Sequence, residues 1–394
     1  MPVTRAPLFY DPFAADTVAD PYPWYQRLRD EAPLYRQESL RFWVLSRYDD
    51  VLAAARAHAS LSSAEGVIYI RQPLPMMLTM DPPDHTRLRR IVARDFTPSA
   101  VSAWRPLVER LAGEAVDRML EEGTTDAVRA VASPLPILVI AQILGVPPDD
   151  YPQFRDWSDK IVESLAVIDP GDVERANRTV EGILALQGYL AALVEARRRA
   201  PTDDLLSRLV QPREEGALND SEVFWFSLLL LVAGNETTTN LLGNVLHTFA
   251  REPAVWDRLR ASPELIGGAI EESLRRDSPI QGFFRTVVTP YAVQGAEIPV
   301  GDRVLILYGA ANRDPRHYDD PDAFRIDRNP ADHLGFGSGI HLCLGAHLAR
   351  LEASAVLHEL ARRVRRFEPA GDPVRGSNPI LRGMAKLPIT LVPS

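Results

Sequence analysis

One cysteine in 394 residues, Cys343, excludes any intramolecular disulfide and fits a reducing cytoplasm. Long apolar runs are also missing. The longest, at residues 136–146 and 223–233, stop well short of the ~20 residues that cross a bilayer. No basic, apolar leader opens the chain, so neither a membrane span nor a secretory signal is expected. Basic charge is in deficit. With 44 Lys and Arg against 53 Asp and Glu, the formal charge of −9 gives no overall pull toward nucleic acid or anionic lipid. Linkers, low-complexity tracts, charge runs, internal repeats and coiled-coil heptads are absent as well. Residues 1–394 are therefore expected to form a single domain and a monomer. A chain of this length can bury roughly three-quarters of its unfolded surface, enough to enclose a large cofactor.

What is present is mostly helical periodicity. Thr97 reads as an N-cap with Pro98 at the first helical position, followed by apolar residues from Val101 to Met119 and a closing Gly123. Further helices are expected over 181–199, where Pro201 stops the chain, over 221–250, from Ser262 to before Ser278-Pro279, and over 346–366. Strands are fewer: 42–46, a meander over 285–312 with turns at Gln294-Gly295 and 299–302, and a terminal strand pair over 381–392. The fold class is mainly α with small β-sheets, which alone says nothing about function.

Glycines at 335, 337, 339 and 345 surround Cys343, and a helix begins just after it. Glycines let a backbone pass close to a flat ring, the positive helix end favours thiolate over thiol, and Phe336 suits a ring face. The same residues also read as a Gly-rich turn with a buried, inert thiol. The pattern Phe336-Gly337-x-Gly339-x-His341-x-Cys343-x-Gly345 resembles the haem-binding loop of the cytochrome P-450 family. The resemblance implies haem b, with Cys343 as the iron ligand and Phe336, His341 and Gly345 against the cofactor. A cysteinate ligand in that family favours cleavage of the O–O bond. It also implies the single-domain P-450 fold, with haem between the long distal helix and the helix after the cysteine loop.

The helix over 221–250 has an apolar run interrupted by Gly234, asparagines and threonines, all poor helix formers. Thr237 can bond back to the Ala233 carbonyl and bend the helix, and Gly234 gives room for a diatomic ligand. A core helix with a tolerated polar patch fits equally. Ala233-Gly234-x-Glu236-Thr237 resembles the family's oxygen-activation motif. That implies Thr237 as the alcohol that bonds to dioxygen and Glu236 as the acid that relays protons through water.

Glu272 and Arg275 sit at i and i+3, ordinarily a weak surface pair. They resemble the family's buried structural Glu-x-x-Arg, with Arg328 chosen over Arg325 as its third member. His85 and Arg89 share a helix face after Asp81-Pro82-Pro83-Asp84, and with His341 and Arg285 they match the family's propionate contacts. The substrate pocket is expected to be lined by Val67, Ile68, Met77, Leu78, Leu230, Ala233, Ile280, Phe283 and Leu381. Arg71 and Arg382 are its candidate polar handles.

The resemblance implies a monooxygenase that oxidises a small lipophilic substrate. It would use O2 and NAD(P)H electrons, delivered by a separate ferredoxin or flavodoxin-type partner and its reductase. Arg94, His347 and Arg350 are the candidate docking cations. The alternatives are a peroxide-driven peroxygenase, an isomerising or dehydrating relative, and a non-oxidative haem-binding protein. Glu236 and Thr237 argue against each of them.

Overall fold

The computed structural model describes residues 7–165, 172–212 and 216–394. Its axis is the 32-residue helix Asp220–Arg251. Asn219 and Glu222 form a reciprocal capping box at its start, with both bonds at 2.9 Å. Most residues beyond that first turn are buried on every face, so it is a core helix rather than an amphipathic one. Helices Pro134–Leu144, Ile266–Arg276 and Ala346–Arg363 pack around it.

The helix expected from Thr97 to Gly123 is two helices. Thr97 caps Pro98–Ser102 by accepting the Ala100 N–H at 3.3 Å, but a second helix, Arg105–Glu122, follows a break. Pro106 explains it: the residue has no N–H for the Ser102 carbonyl, and its ring clashes with that turn. Gly123, at φ +68°, closes the second helix as expected. The helix expected at 181–199 starts earlier, at Val173, where Asp172 accepts the Arg175 N–H at 3.0 Å. Val173–Arg199 is long and apolar enough to cross a membrane by length and composition, though only 33% of its apolar window is buried. Glu181 and Gln187 interrupt the stretch, so unbroken apolar runs did not expose it. It packs on Tyr151–Leu165, with Trp157 and Tyr189 ring centroids 5.3 Å apart.

From Ser262, a 3-10 turn (Pro263–Leu265) leads into the helix Ile266–Arg276. The helix expected over 346–366 ends at Arg363, and Val364–Pro369 is a strand instead, drawn into pairing with Pro388–Pro393. The expected terminal hairpin does not form. Met384–Lys386 pairs with Val374–Arg375, because only Leu387 separates it from Pro388–Pro393, too few residues for a turn. A five-stranded sheet runs in the order Leu34–Gln37, Phe42–Leu45, Arg303–Ile306, Phe283–Val287, Leu61–Ser62. The meander turns at Gln294 (φ +52°) and Gly295 (φ +74°), the left-handed pair that a two-residue hairpin needs. Its tail, Tyr308–Ala311, is helical rather than extended.

Candidate active site

The loop before Ala346–Arg363 is fixed from several sides. The Cys343 N–H donates to the Phe336 carbonyl at 2.9 Å, and the Gly345 N–H lies close enough to the Cys343 sulfur to act on it electrostatically. Gly337 and Gly339 take φ of +71° and +73°. A Cβ on Gly339 would lie 2.8 Å from the Ala55 carbonyl oxygen, and one on Gly335 2.7 Å from that of Leu274. The loop is thus wedged between helices Tyr48–Arg56 and Ile266–Arg276. Gly339→Ala is expected to cost about 1–3 kcal/mol from the backbone conformation alone. A lower urea midpoint with unchanged helix content would check it.

The Cys343 side chain is solvent-accessible although protein surrounds it, so it faces an interior cleft rather than the outer surface. Burial pushes the thiol up, against the Gly345 N–H, Arg89 and Arg350, which pull it down. A bound metal ion would deprotonate the thiol outright.

The central helix turns a small-residue patch outward. Ala233 is exposed and Gly234, Glu236 and Thr237 are half-buried, while Leu231 and Thr238 to Leu242 are buried. Thr237 Oγ1 donates to the Ala233 carbonyl at 2.7 Å. Burial raises the Glu236 carboxyl; the nearby Asn240 amide opposes this and Asp159 adds to it. A Cβ on Gly234 would meet Ile140 Cδ1 at 2.4 Å, so this position faces helix Pro134–Leu144.

Beside the cysteine loop lies a group of nitrogen donors without an acid. Both ring nitrogens of His85 are buried and unpartnered, and its ring centroid is 4.5 Å from that of His341. His341 Nε2 reaches Ser63 Oγ at 3.1 Å; burial, Arg285, His85 and Arg89 push its pKa down to about 3. Arg89 donates to the Leu342 carbonyl at 2.5 Å. Arg285, 4% exposed, donates among the described residues only to the Phe284 carbonyl, at 2.9 Å. Among the described residues no carboxylate pairs with any of the four. Two arginines and two imidazoles, His85 and Arg285 buried and Arg89 and His341 half-buried, form a donor set that fits an anion with more than one carboxylate, such as the propionates of haem.

The cytochrome P450 family model matches residues 24–391. The chain belongs to the cytochrome P450 family. It is 41% identical to a beta-dihydromenaquinone-9 omega-hydroxylase of Mycobacterium tuberculosis, over 98% of this chain and 78% of that protein. It is 38% identical to the cytochrome P450 monooxygenase PikC of Streptomyces venezuelae, over 95% and 92%. Among solved structures, CYP109E1 of Bacillus megaterium in complex with corticosterone superposes with a TM-score of 0.88 at 35% identity, covering 95% and 99%. The P450 is accordingly a monooxygenase with haem b as cofactor, on the mainly α fold expected from the sequence.

Two further features of the P450 depart from ordinary surface chemistry. Glu272 and Arg275 are both 0% exposed and bonded twice, at 2.7 and 2.8 Å. Arg328 Nε adds a bond to Glu272 at 3.2 Å, whereas Arg325 contributes only its backbone N–H, at 3.0 Å. The proposed polar handles are already engaged. Arg382 binds Asp277 at 2.9 Å and lies over the Tyr22 ring, and Arg71 pairs with Glu65 and the Gly301 carbonyl.

Of the expected pocket lining, Ile68, Leu78, Leu230, Ile280, Phe283 and Leu381 are half-buried. Ile280 bridges to Leu381, and the buried Val67 accepts the Phe284 N–H at 2.8 Å. Met77 packs instead in the main core beside Leu88, Val92 and Phe226. The sequence reading missed the carboxylate that ties this loop together, Glu271. Only its place next to Glu272 hinted at it.

Proposed function

We propose that Cys343 is the haem iron ligand, that His85, Arg89, Arg285 and His341 hold the propionates, and that Phe336 and Gly345 bound the cofactor. The donor group without an acid, its His85 and Arg285 buried, next to the only cysteine, carries this reading. Haem supplies the activation of dioxygen. Ala233 and the half-buried residues of the lining hold a small lipophilic substrate and exclude water, while Thr237 and Glu236 conduct protons toward the same cleft. No group of three or more His, Cys, Asp or Glu among the described residues could itself hold a metal ion. An iron here therefore depends on a macrocycle for its remaining ligands. Electrons come from NAD(P)H through a separate ferredoxin or flavodoxin-type protein and its reductase, and a cytoplasmic monomer belongs to the same reading. Arg94, His347 and Arg350 are the cations offered to an acidic partner, and Arg350 is held in place by Glu271.

The test is a titration of the purified ferric protein with lipophilic compounds, followed by visible absorption. Because one relative is named for a menaquinone and one neighbour was solved with a steroid, the panel includes an isoprenoid quinone and corticosterone. A shift toward high spin with either class, and turnover that needs both reductant and dioxygen, is the expected result. Turnover with peroxide alone at the same rate would favour the peroxygenase instead.

A further inference from the structure

Glu271 grips both ends of the cysteine loop. Its Oε2 accepts from His333 Nε2 at 3.0 Å, and its two oxygens accept from Arg350 Nε and Nη2 at 2.7 and 2.8 Å. His333 precedes the loop and Arg350 lies in the helix that follows Cys343. Between them sits Phe336: the Arg350 guanidinium is 4.6 Å from its ring centroid and the His333 ring 5.7 Å. The Phe336 carbonyl in turn accepts the Cys343 N–H at 2.9 Å. The grip therefore runs from one carboxylate, through one aromatic ring, to the backbone of the cysteine.

The charges in this unit add up to zero. His333 Nδ1 accepts the Gly335 N–H at 3.0 Å, which assigns its proton to Nε2 and leaves the ring neutral. Arg350 is then the only cation and Glu271 the only anion. Burial works against the Glu271 carboxylate, but hydrogen bonds from Arg350 and His333 outweigh it and hold its pKa down at about 2, so it stays ionised. Arg350 is also electrostatically coupled to the Cys343 sulfur. Glu271 is 12% exposed and Arg350 36%, so water screens this pair less than it would two charges on the open surface. Glu272, the next residue, faces the other way into the Arg275 and Arg328 anchor.

We propose that Glu271 is a positioning residue that sets the reduction potential of the haem iron by cancelling the Arg350 charge beside the cysteine ligand. This rests on Cys343 being that ligand. An uncompensated positive charge stabilises the reduced state, and an uncompensated negative charge destabilises it.

The experiment is potentiometric titration of the holoprotein, without any redox partner, for Glu271→Gln, Arg350→Gln and the double variant. Glu271→Gln shifts the potential positive and Arg350→Gln shifts it negative, each by about tenfold in the reduction equilibrium constant, or about 59 mV for a one-electron couple. The double variant returns to the wild-type value. General damage to the loop cannot give opposite signs that cancel. Shifts of the same sign, or none, with the thiolate signature of the ferrous carbonyl complex intact, overturn the role of Glu271. If Glu271→Gln does not fold, a potential for Arg350→Gln that is unmoved or shifted positive overturns it. A wild-type carbonyl complex without the thiolate signature would instead remove the ligand assignment.

Discussion

Glu272→Leu is expected to destabilise the protein by about 3–5 kcal/mol, the usual cost of leaving a buried charge without its partner. The loss falls on two cations together. Arg275 is completely buried and would keep only its bonds to the Asn312, Pro321 and Ala323 carbonyls, and Arg328 would keep only the carbonyls of Asp319 and Asp320. Arg328→Ala should cost less, because Glu272 then retains both Arg275 bonds and the Arg325 N–H. The double variant Glu272→Leu, Arg275→Leu should cost less than the sum of its parts, since neither partner remains to be desolvated alone. Urea midpoints of the holoprotein, read with the haem band, measure all of these. A midpoint for Glu272→Leu no lower than that for Arg328→Ala would mean that the acid is not the centre of this cluster.

That cluster also shows what a sequence can and cannot reveal. Glu272 and Arg275 are legible because they lie one helical turn apart, and the Cys343 loop because its glycines and cysteine fall within one short segment. Glu271 is not legible in the same way. Its partners His333 and Arg350 are 62 and 79 residues distant, and nothing local marks them as neighbours. That Gly234 faces helix Pro134–Leu144 was not legible either, because that helix is apolar on nearly every face and has no amphipathic period to betray where it packs. The break at Pro106 was written in the sequence, yet the apolar spacing from Val101 to Met119 runs straight through it. The terminal strands illustrate the commonest limit: their residues favour strands, but which strand each pairs with is decided by contacts far along the chain.

Thr237→Ala should leave haem content and the substrate-induced spin shift unchanged while lowering the rate of product formation by about 100-fold, the low end of what a positioned proton donor contributes, and product formed per NAD(P)H with it. The electrons not used for product should appear as hydrogen peroxide. The reasoning begins with the 2.7 Å bond to the Ala233 carbonyl. That bond occupies the hydroxyl proton and fixes Oγ1 on the exposed patch of an otherwise buried helix, with an oxygen lone pair left to accept a proton donor such as water. The hydroxyl can then accept from one side and donate to the other by rotating, which a methyl group cannot do. Glu236, with its carboxyl raised by burial, holds a proton to higher pH than an ordinary glutamate and can recharge the relay. Thr237→Ser should therefore retain most of the coupling. Glu236→Gln should slow turnover without a comparable rise in peroxide, because the alcohol remains in place. Peroxide and product measured together separate these outcomes, and a fully coupled Thr237→Ala variant would show that protons reach the cleft by another route.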